Sequence, residues 1–95
     1  EGVYATRTRI GQKMYDSVSF IGKRHSTDGL FSIETHILDT VIDEIQGSVE
    51  LFFVSYLREN QKFNALEALK KQIERDIVSA KKQLSVCHFY LRDFL

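Results

Sequence analysis

The last third of the chain carries the most regular hydrophobic pattern. Apolar and small residues recur there at steps of three and four: Leu66, Leu69, Ile73, Ile77, Ala80, Leu84, Cys87, Leu91 and Phe94. This spacing places them along one side of an α-helix, and no Gly or Pro interrupts the segment. Half of the residues between them are Glu, Lys, Gln or Arg, which lose little side-chain freedom in a helix. The pattern predicts one long helix that begins near Asn64.

A second apolar seam occupies the middle of the chain. Its positions also fit helical spacing: Phe31, Leu38, Val41, Ile42, Ile45, Val49, Phe52, Phe53 and Tyr56. Ser32 or Thr27 could cap such a helix, with Glu34 in its first turn. The polar stretch from Arg58 to Phe63 would then join the two helices, and a short connection makes them antiparallel neighbours.

The first 26 residues leave two alternatives open. A helical stripe is formed by Val3, Ile10, Met14, Val18 and Ile21. Several Thr, Ser and Gly residues lower helix propensity, and Gly11-Gln12 could instead turn a hairpin between two strands. We favour the helix. The absence of Pro from all 95 residues also favours long helices, because Pro punctuates loops and strand edges.

These patterns predict an all-α protein. We expect three long helices in an antiparallel bundle that forms a single domain over residues 1–95. Hydrophobic residues make up 43% of the chain and charged residues 27%, which is ordinary for a soluble globular domain. The apolar runs are far shorter than the roughly 18 residues of a membrane span. A single cysteine, Cys87, favours a reducing compartment, so we predict a cytoplasmic location.

Charge divides the chain into three parts. Residues 1–24 hold five basic and two acidic residues, a net charge of +3. Residues 25–57 hold six acids and no Lys or Arg, a net charge of −6, and residues 58–95 hold eight basic and five acidic residues, again +3. Either the acidic segment pairs with its basic neighbours, which would relieve the repulsion between Asp39 and Asp43, or it forms a solvated face.

Chemical motifs argue against an enzyme. On a helix, His36, Asp39 and Asp43 would share one face and could bind a divalent metal, but the sequence has no HExxH motif, zinc-binding Cys/His set or EF-hand loop. The glycines are scattered and form no phosphate-binding loop. We therefore predict no metal site, no cofactor and no catalytic residue.

A row of basic residues gives an alternative, nucleic-acid-binding function. The row consists of Lys70, Lys71, Arg75, Lys81 and Lys82, and on the exposed side of the last helix it could contact phosphates. Glu67, Glu74 and Asp76 are interleaved with it, and the net charge of the chain is zero. Ordinary solubilisation of a helix therefore explains most of this row.

From Phe31 to the end, the arrangement of apolar and small polar residues resembles a known family. The segments that carry it are Ile37, Leu38, Ile42 and Ile45, then Val49-Glu50-Leu51-Phe52-Phe53, then Leu66, Leu69 and Ile73, and finally Phe89-Tyr90-Leu91-Arg92-Asp93-Phe94-Leu95. They resemble the helical-bundle family of proteins encoded in 23S ribosomal RNA intervening sequences and of accessory variability determinants of diversity-generating retroelements. The resemblance implies a helical bundle that assembles into oligomers.

The predicted function is binding rather than catalysis. Three helices of this length would leave apolar surface uncovered, which copies of the same chain could bury. We expect an oligomer interface at Phe52, Phe53, Tyr56, Phe89, Tyr90 and Phe94. The sequence thus predicts a non-enzymatic scaffold or adaptor that binds itself or another protein and no membrane, with an RNA-associated accessory protein as the alternative.

Overall fold

Four β-strands followed by an α-helix make up the part of the chain that the computed structural model describes, residues 1–23, 29–42, 45 and 47–86. In chain order the elements are β1 (Gly2–Ile10), β2 (Lys13–Lys23), β3 (Phe31–Ile37), β4 (Val49–Arg58) and α1 (Leu66–Val86). The strands form one sheet in the order β3-β2-β1-β4, and every neighbouring pair is antiparallel. The predicted all-α fold is therefore wrong, and so is the antiparallel bundle of three helices.

The first two strands form the hairpin that the sequence left as an alternative. Ile10 pairs with Lys13 at its end, so Gly11 and Gln12 make the turn. Gly11 has a φ of 63°, a left-handed conformation that glycine adopts without the steric penalty of a Cβ. Over the described residues 1–23 the favoured helix is wrong, because the Thr- and Ser-rich pattern of this segment suits a pleated strand better than a helix.

The third strand shows why the second predicted helix is wrong. Phe31, Ile33 and Ile37 alternate with polar residues, and a period of two is the pattern of a strand. The predicted helical seam contains Phe31 and is flanked by Ile33 and Ile37. The whole of β3 pairs with the second part of β2, from Ile37 opposite Ser17 to Phe31 opposite Lys23.

The apolar residues of β4 have helix-like spacing because the pairing of β4 with β1 is irregular. The register shifts twice, so that Val54 and Leu57 have no direct partner on β1. Each extra residue is a β-bulge, which increases the spacing of residues on one face from two to three. Phe53 and Tyr56 thus lie opposite Thr6 and Tyr4 on the same face, although they are three residues apart.

The predicted C-terminal helix is present and covers one face of the sheet. It spans Leu66–Val86, and the part of the predicted helix beyond it lies outside the described residues. Ala80 and Leu84 are buried against Ala5 of β1 and against Leu38, which follows β3. Partly buried apolar residues surround this core: Val18, Val54, Leu57 and Ile77. The predicted seam of the helix therefore packs on strands rather than on other helices.

Hydroxyl groups fill the centre of the opposite face of the sheet. Thr6 and Thr8 alternate with Ala5, so they point away from α1. The Thr6 Oγ1 atom lies 2.7 Å from Ser17 Oγ and 2.9 Å from Ser19 Oγ, and Thr8 Oγ1 lies 2.8 Å from Ser17 Oγ. All four residues are buried. Because a hydroxyl can both donate and accept, the cluster satisfies buried polar atoms without apolar packing.

Two sequence predictions concern the chain as a whole. Within the described ranges, no helix is both long and apolar enough to cross a membrane. The single domain over residues 1–95 stays a prediction, although a helical bundle is not its architecture.

Candidate functional site

A cleft of about 470 Å³ opens between the sheet and the first half of α1. Its apolar lining consists of Val3, Val18, Phe20, Phe63, Leu69 and Ile73. Its polar lining consists of Lys23, Glu34, His36, Arg58, Gln61 and Asp76, together with Ser19 and Thr35, whose hydroxyl groups bond to each other at the hydroxyl cluster of the other face. The volume lies within the range of about 300–1,000 Å³ that small-molecule sites occupy, and apolar walls with a few polar groups are typical of such sites.

The register of the strands builds the floor of the cleft. Arg58 of β4 pairs with Val3 of β1, Val3 pairs with Phe20 of β2, and Phe20 pairs with Glu34 of β3. These four residues form one row across the sheet, on the face that α1 covers. Since neighbouring strands lie about 4.8 Å apart, the row spans roughly 14 Å between the main chains of Arg58 and Glu34. His36 belongs to the next row, opposite Val18.

The first half of α1 forms the wall of the cleft. Leu69, Ile73 and Asp76 are separated by steps of four and three, so they lie on the same side of the helix. The second half of the same seam, at Ala80 and Leu84, belongs to the hydrophobic core. The apolar side of α1 therefore packs into the hydrophobic core with its second half and lines the cleft with its first half.

A bidentate ion pair joins the end of β4 to α1. The Arg58 Nε and Nη2 atoms donate to Asp76 Oδ1 and Oδ2, each at 2.8 Å. Asp76 is only 7% exposed, and Gln72 Nε2 donates to the same Oδ1 at 3.0 Å. Charge-assisted bonds of this geometry are among the stronger polar contacts in proteins, so the pair holds the strand and the helix at a defined separation.

Arg58 also organises the segment that leaves β4. Its Nη1 atom donates to the carbonyl oxygen of Glu59 at 2.9 Å, and its Cζ atom lies 5.9 Å from the centroid of the Phe63 ring. A guanidinium group over an aromatic face is a favourable cation–π contact. Asn60 adds a second anchor, because its Nδ2 atom donates to the carbonyl oxygen of Ile21 at 3.0 Å.

The cleft has a different charge at each side. At the Arg58 side the guanidinium and the Asp76 carboxylate neutralise each other. At the other side lie Glu34, His36 and Lys23, and Glu34 makes no ion pair within the described part of the chain. An exposed carboxylate without a cationic partner can accept a hydrogen bond or a proton from a bound ligand.

The basic row lies on α1 and outside the cleft. All five residues are exposed: Lys70, Lys71, Arg75, Lys81 and Lys82. The Lys81 Nζ atom donates to Asp39 Oδ1 at 2.8 Å. Binding of nucleic acid at these residues stays a prediction.

The predicted oligomer interface falls partly on β4. Phe52, Phe53 and Tyr56 are exposed, but Phe52 and Phe53 are adjacent in the strand and point to opposite faces of the sheet. The Tyr4 ring makes edge contacts with Phe53 and Tyr56, with centroids 5.2 and 5.3 Å apart. The other three residues, Phe89, Tyr90 and Phe94, lie outside the described residues. Self-association through this surface stays a prediction.

The three residues weighed as metal ligands are not brought together in what the structure describes. His36 lines the cleft, Asp39 pairs with Lys81, and Asp43 lies outside the described residues. The described ranges contain no group of three or more His, Cys, Asp or Glu that could hold a metal ion.

The acidic middle segment forms ion pairs with both basic segments. Asp39 of the acidic middle segment pairs with Lys81 of the basic last segment, and Glu50 pairs with Arg9 of the basic first segment. These pairs join a loop to the helix and β4 to β1, rather than three helices.

Sequence reasoning missed the residues that distinguish the cleft. Glu34 was placed in the first turn of a helix, and Arg58 and Phe63 in a polar connection. The alternation from Phe31 to Ile37 was the available signal, because it places Glu34 and His36 on one face of a strand. No local pattern places Arg58 in the same row as Glu34, since that depends on the order of the strands.

Comparison with known proteins gives a family match and relatives. The model of the family described as "Flavokinase: Riboflavin kinase" matches residues 1–84. The chain is 34% identical over 83 residues to a bifunctional riboflavin kinase/FMN adenylyltransferase of Haemophilus influenzae, with 85% of this chain and 27% of that protein covered. It is 41% identical over 64 residues to a riboflavin kinase of Mus musculus, with 65% of this chain and 41% of that protein covered.

A solved structure has a similar fold. It is titled as a macrolide-efflux protein from Streptococcus pneumoniae and superimposes with a TM-score of 0.73 at 24% identity, covering 85% of this chain and 27% of that one. At this level of identity the likeness concerns the fold alone. The chain thus spans about a quarter of the length of the bacterial protein and the solved structure that it matches.

These matches correct the predicted family and function. The resemblance to the helical-bundle family of intervening-sequence proteins and variability determinants is wrong, because residues 1–84 match a different family. The relatives are named as kinases, so the predicted non-enzymatic scaffold, with its RNA-associated alternative, is wrong as well. Of the segments that carried the resemblance, residues 49–53 lie in β4 and only Leu66, Leu69 and Ile73 lie in a described helix.

Proposed function

The chain belongs to the riboflavin kinase family, and on that premise we propose that it forms part of a riboflavin kinase whose flavin site is the cleft. One observation carries the proposal: the family match over residues 1–84 includes every residue that lines the cleft, from Val3 to Asp76. The cytoplasmic location predicted from the sequence belongs to the same proposal.

The apolar side of the cleft suits the flavin ring. Riboflavin joins a flat tricyclic ring to a flexible chain of hydroxyl groups that ends in a primary alcohol. Phe63 lines the cleft from the segment between β4 and α1, and Leu69 and Ile73 line it from α1. An aromatic ring buries its faces best against such side chains. We therefore place the ring beside Phe63.

The opposite side of the cleft suits the hydroxyl chain. With the ring beside Phe63, the chain would run along the row toward Glu34. A kinase transfers the terminal phosphoryl group of a nucleoside triphosphate to a hydroxyl oxygen and releases the nucleoside diphosphate. The hydroxyl must lose its proton to a nearby acceptor. Of the two carboxylates that line the cleft among the described residues, Asp76 is held by Arg58 and Gln72. Glu34 is therefore the proposed proton acceptor, and the Lys23 ammonium would attract the negative phosphate.

Substitution at Glu34 tests this assignment. We expect Glu34→Gln to lower the rate of phosphorylation of riboflavin by about 100-fold or more, the range over which general bases act. Binding of riboflavin, measured by the change in flavin fluorescence, should change little because the side chain keeps its shape. Glu74→Gln is the matched control, since Glu74 is exposed on α1 and does not line the cleft.

Two results would count against the proposal. A protein that neither binds riboflavin at micromolar concentration nor phosphorylates it would overturn the function itself. If the Glu34→Gln variant keeps the rate of the Glu74→Gln control, the function stands and the role of Glu34 does not.

A further inference from the structure

We propose that Arg58 is a positioning residue, which sets the affinity for riboflavin by holding the Phe63 ring rather than by touching the ligand. The inference rests on the proposed function, because it takes the flavin ring to lie beside Phe63. It assigns a task to the polar network of Arg58, Asp76 and Gln72, none of which the proposed phosphoryl transfer uses.

The guanidinium group of Arg58 already has its partners within the protein. Nε and Nη2 donate to the two oxygens of Asp76, and Nη1 donates to the carbonyl oxygen of Glu59. Its positive charge is balanced by the buried Asp76 carboxylate. Three of its five N–H donors are therefore used within the protein before any ligand binds, and releasing one of them inside a partly buried site would be costly.

The same network fixes the direction of the guanidinium plane. Gln72, one turn before Asp76 on α1, donates to Asp76 Oδ1 at 3.0 Å, so the carboxylate is oriented from the helix side. The two parallel bonds that Arg58 donates to Asp76 then define the plane of the Arg58 guanidinium group, because a bidentate pair permits little rotation. The position of α1 therefore determines the orientation of the Arg58 guanidinium group.

Phe63 is the cleft residue that this arrangement controls. The Arg58 Cζ atom lies 5.9 Å from the centroid of the ring, and the Arg58 bond to Glu59 restrains the segment that leads to Phe63. A ring held on one side by a fixed cation occupies fewer orientations before the ligand binds. Binding then costs less side-chain entropy, of which each immobilised side chain contributes about 0.5–1.5 kcal/mol.

The position of Arg58 in the sheet predicts which kinetic parameter it affects. Arg58 and Glu34 stand at opposite ends of the row, with Val3 and Phe20 between them. An effect through the ring should therefore change riboflavin binding and KM, while kcat, which depends on groups at the Glu34 end, should stay near its original value.

A double-mutant cycle between Arg58 and Phe63 tests the proposal. Arg58→Lys keeps the charge but loses the bidentate geometry, and Phe63→Leu removes the aromatic face. We expect each single variant to weaken riboflavin binding by about two- to tenfold, the equivalent of one side chain's ordering cost. The double variant should bind as the Phe63→Leu variant does, because without the aromatic ring Arg58 has nothing to position.

Two further variants distinguish the proposed positioning effect from a general loss of folding. Gln72→Ala removes only the bond that orients Asp76, so it should weaken binding in the same direction but by less than Arg58→Lys. Arg9→Lys is the control, because Arg9 forms an exposed ion pair with Glu50 on the same sheet and does not line the cleft. It should leave riboflavin binding unchanged.

The outcomes separate this proposal from the function on which it rests. If the unmodified protein fails to bind riboflavin, the proposed function fails and the positioning role fails with it. If it binds and the effects of Arg58→Lys and Phe63→Leu multiply in the double variant, or if Arg58→Lys lowers kcat at constant KM, the positioning role alone is overturned.

Discussion

Arg7 of β1 donates a hydrogen bond from Nη2 to the carbonyl oxygen of Leu84, at 2.9 Å, in the last turn of α1. The described part of α1 has no basic residue in its last turn. A strand side chain therefore supplies the positive charge that the C-terminal part of the helix dipole favours. This contact ties the helix to the centre of the sheet.

The first prediction concerns that contact. Arg7→Ala should lower the free energy of unfolding by about 1–2 kcal/mol, because it leaves the Leu84 carbonyl without this donor at a site where the Arg7 side chain is 12% exposed. Arg9→Ala, which breaks the exposed pair with Glu50, should cost less than about 1 kcal/mol. Urea unfolding of both variants measures the difference, and equal losses would refute the role assigned to Arg7.

The second prediction compares two leucines of α1. Leu84 is 2% exposed and Leu66 is 65% exposed. Leu84→Ala should destabilise the protein by about 2–5 kcal/mol, since it removes apolar contacts and leaves a cavity against β1. Leu66→Ala, on the same helix, should change stability by no more than about 0.5 kcal/mol. Thermal or urea unfolding would contradict the described core if the two substitutions had similar effects.

The third prediction concerns the hydroxyl cluster. Thr6 is fully buried and bonds to both Ser17 and Ser19, so Thr6→Val should cost about 1–3 kcal/mol despite its nearly identical shape. Thr35, at the margin of the cluster, is exposed and bonds to Ser19 at 2.9 Å. Thr35→Val should cost less, because water can replace its contact. A stable Thr6→Val variant would mean that the cluster is not needed for folding.

Local periodicity predicted some elements and misled at others. The helix from Leu66 to Val86 was predictable because its spacing is regular over 21 residues and uninterrupted. The hairpin at Gly11-Gln12 could be recognised only as an alternative. In β4, two bulges at Val54 and Leu57 changed a period of two into steps of three, and sequence reasoning cannot distinguish such a strand from a helix unless its partner strand is known.

The candidate site depended on information that is not local. The preceding and following residues of Glu34 reveal only that it lies in an alternating segment. Arg58 is 24 positions further along the chain, and the two residues share a row because β1 and β2 lie between β4 and β3. The basic residues of α1 could be predicted as a site because their helical spacing can be recognised in the sequence. The row of cleft residues across the sheet has no such spacing, since its members come from four different strands.

The sequence by itself determined α1. Helical hydrogen bonds join residues four apart, so the spacing of apolar residues within each turn is enough to predict the helix. The pattern also showed that one side of this helix must be covered. Only the tertiary structure decided that strands cover it, that Ala80 and Leu84 meet Ala5, and that Leu69 and Ile73 face a cleft. Strand order and register decide those contacts, and they arise from pairing between segments that are distant in sequence.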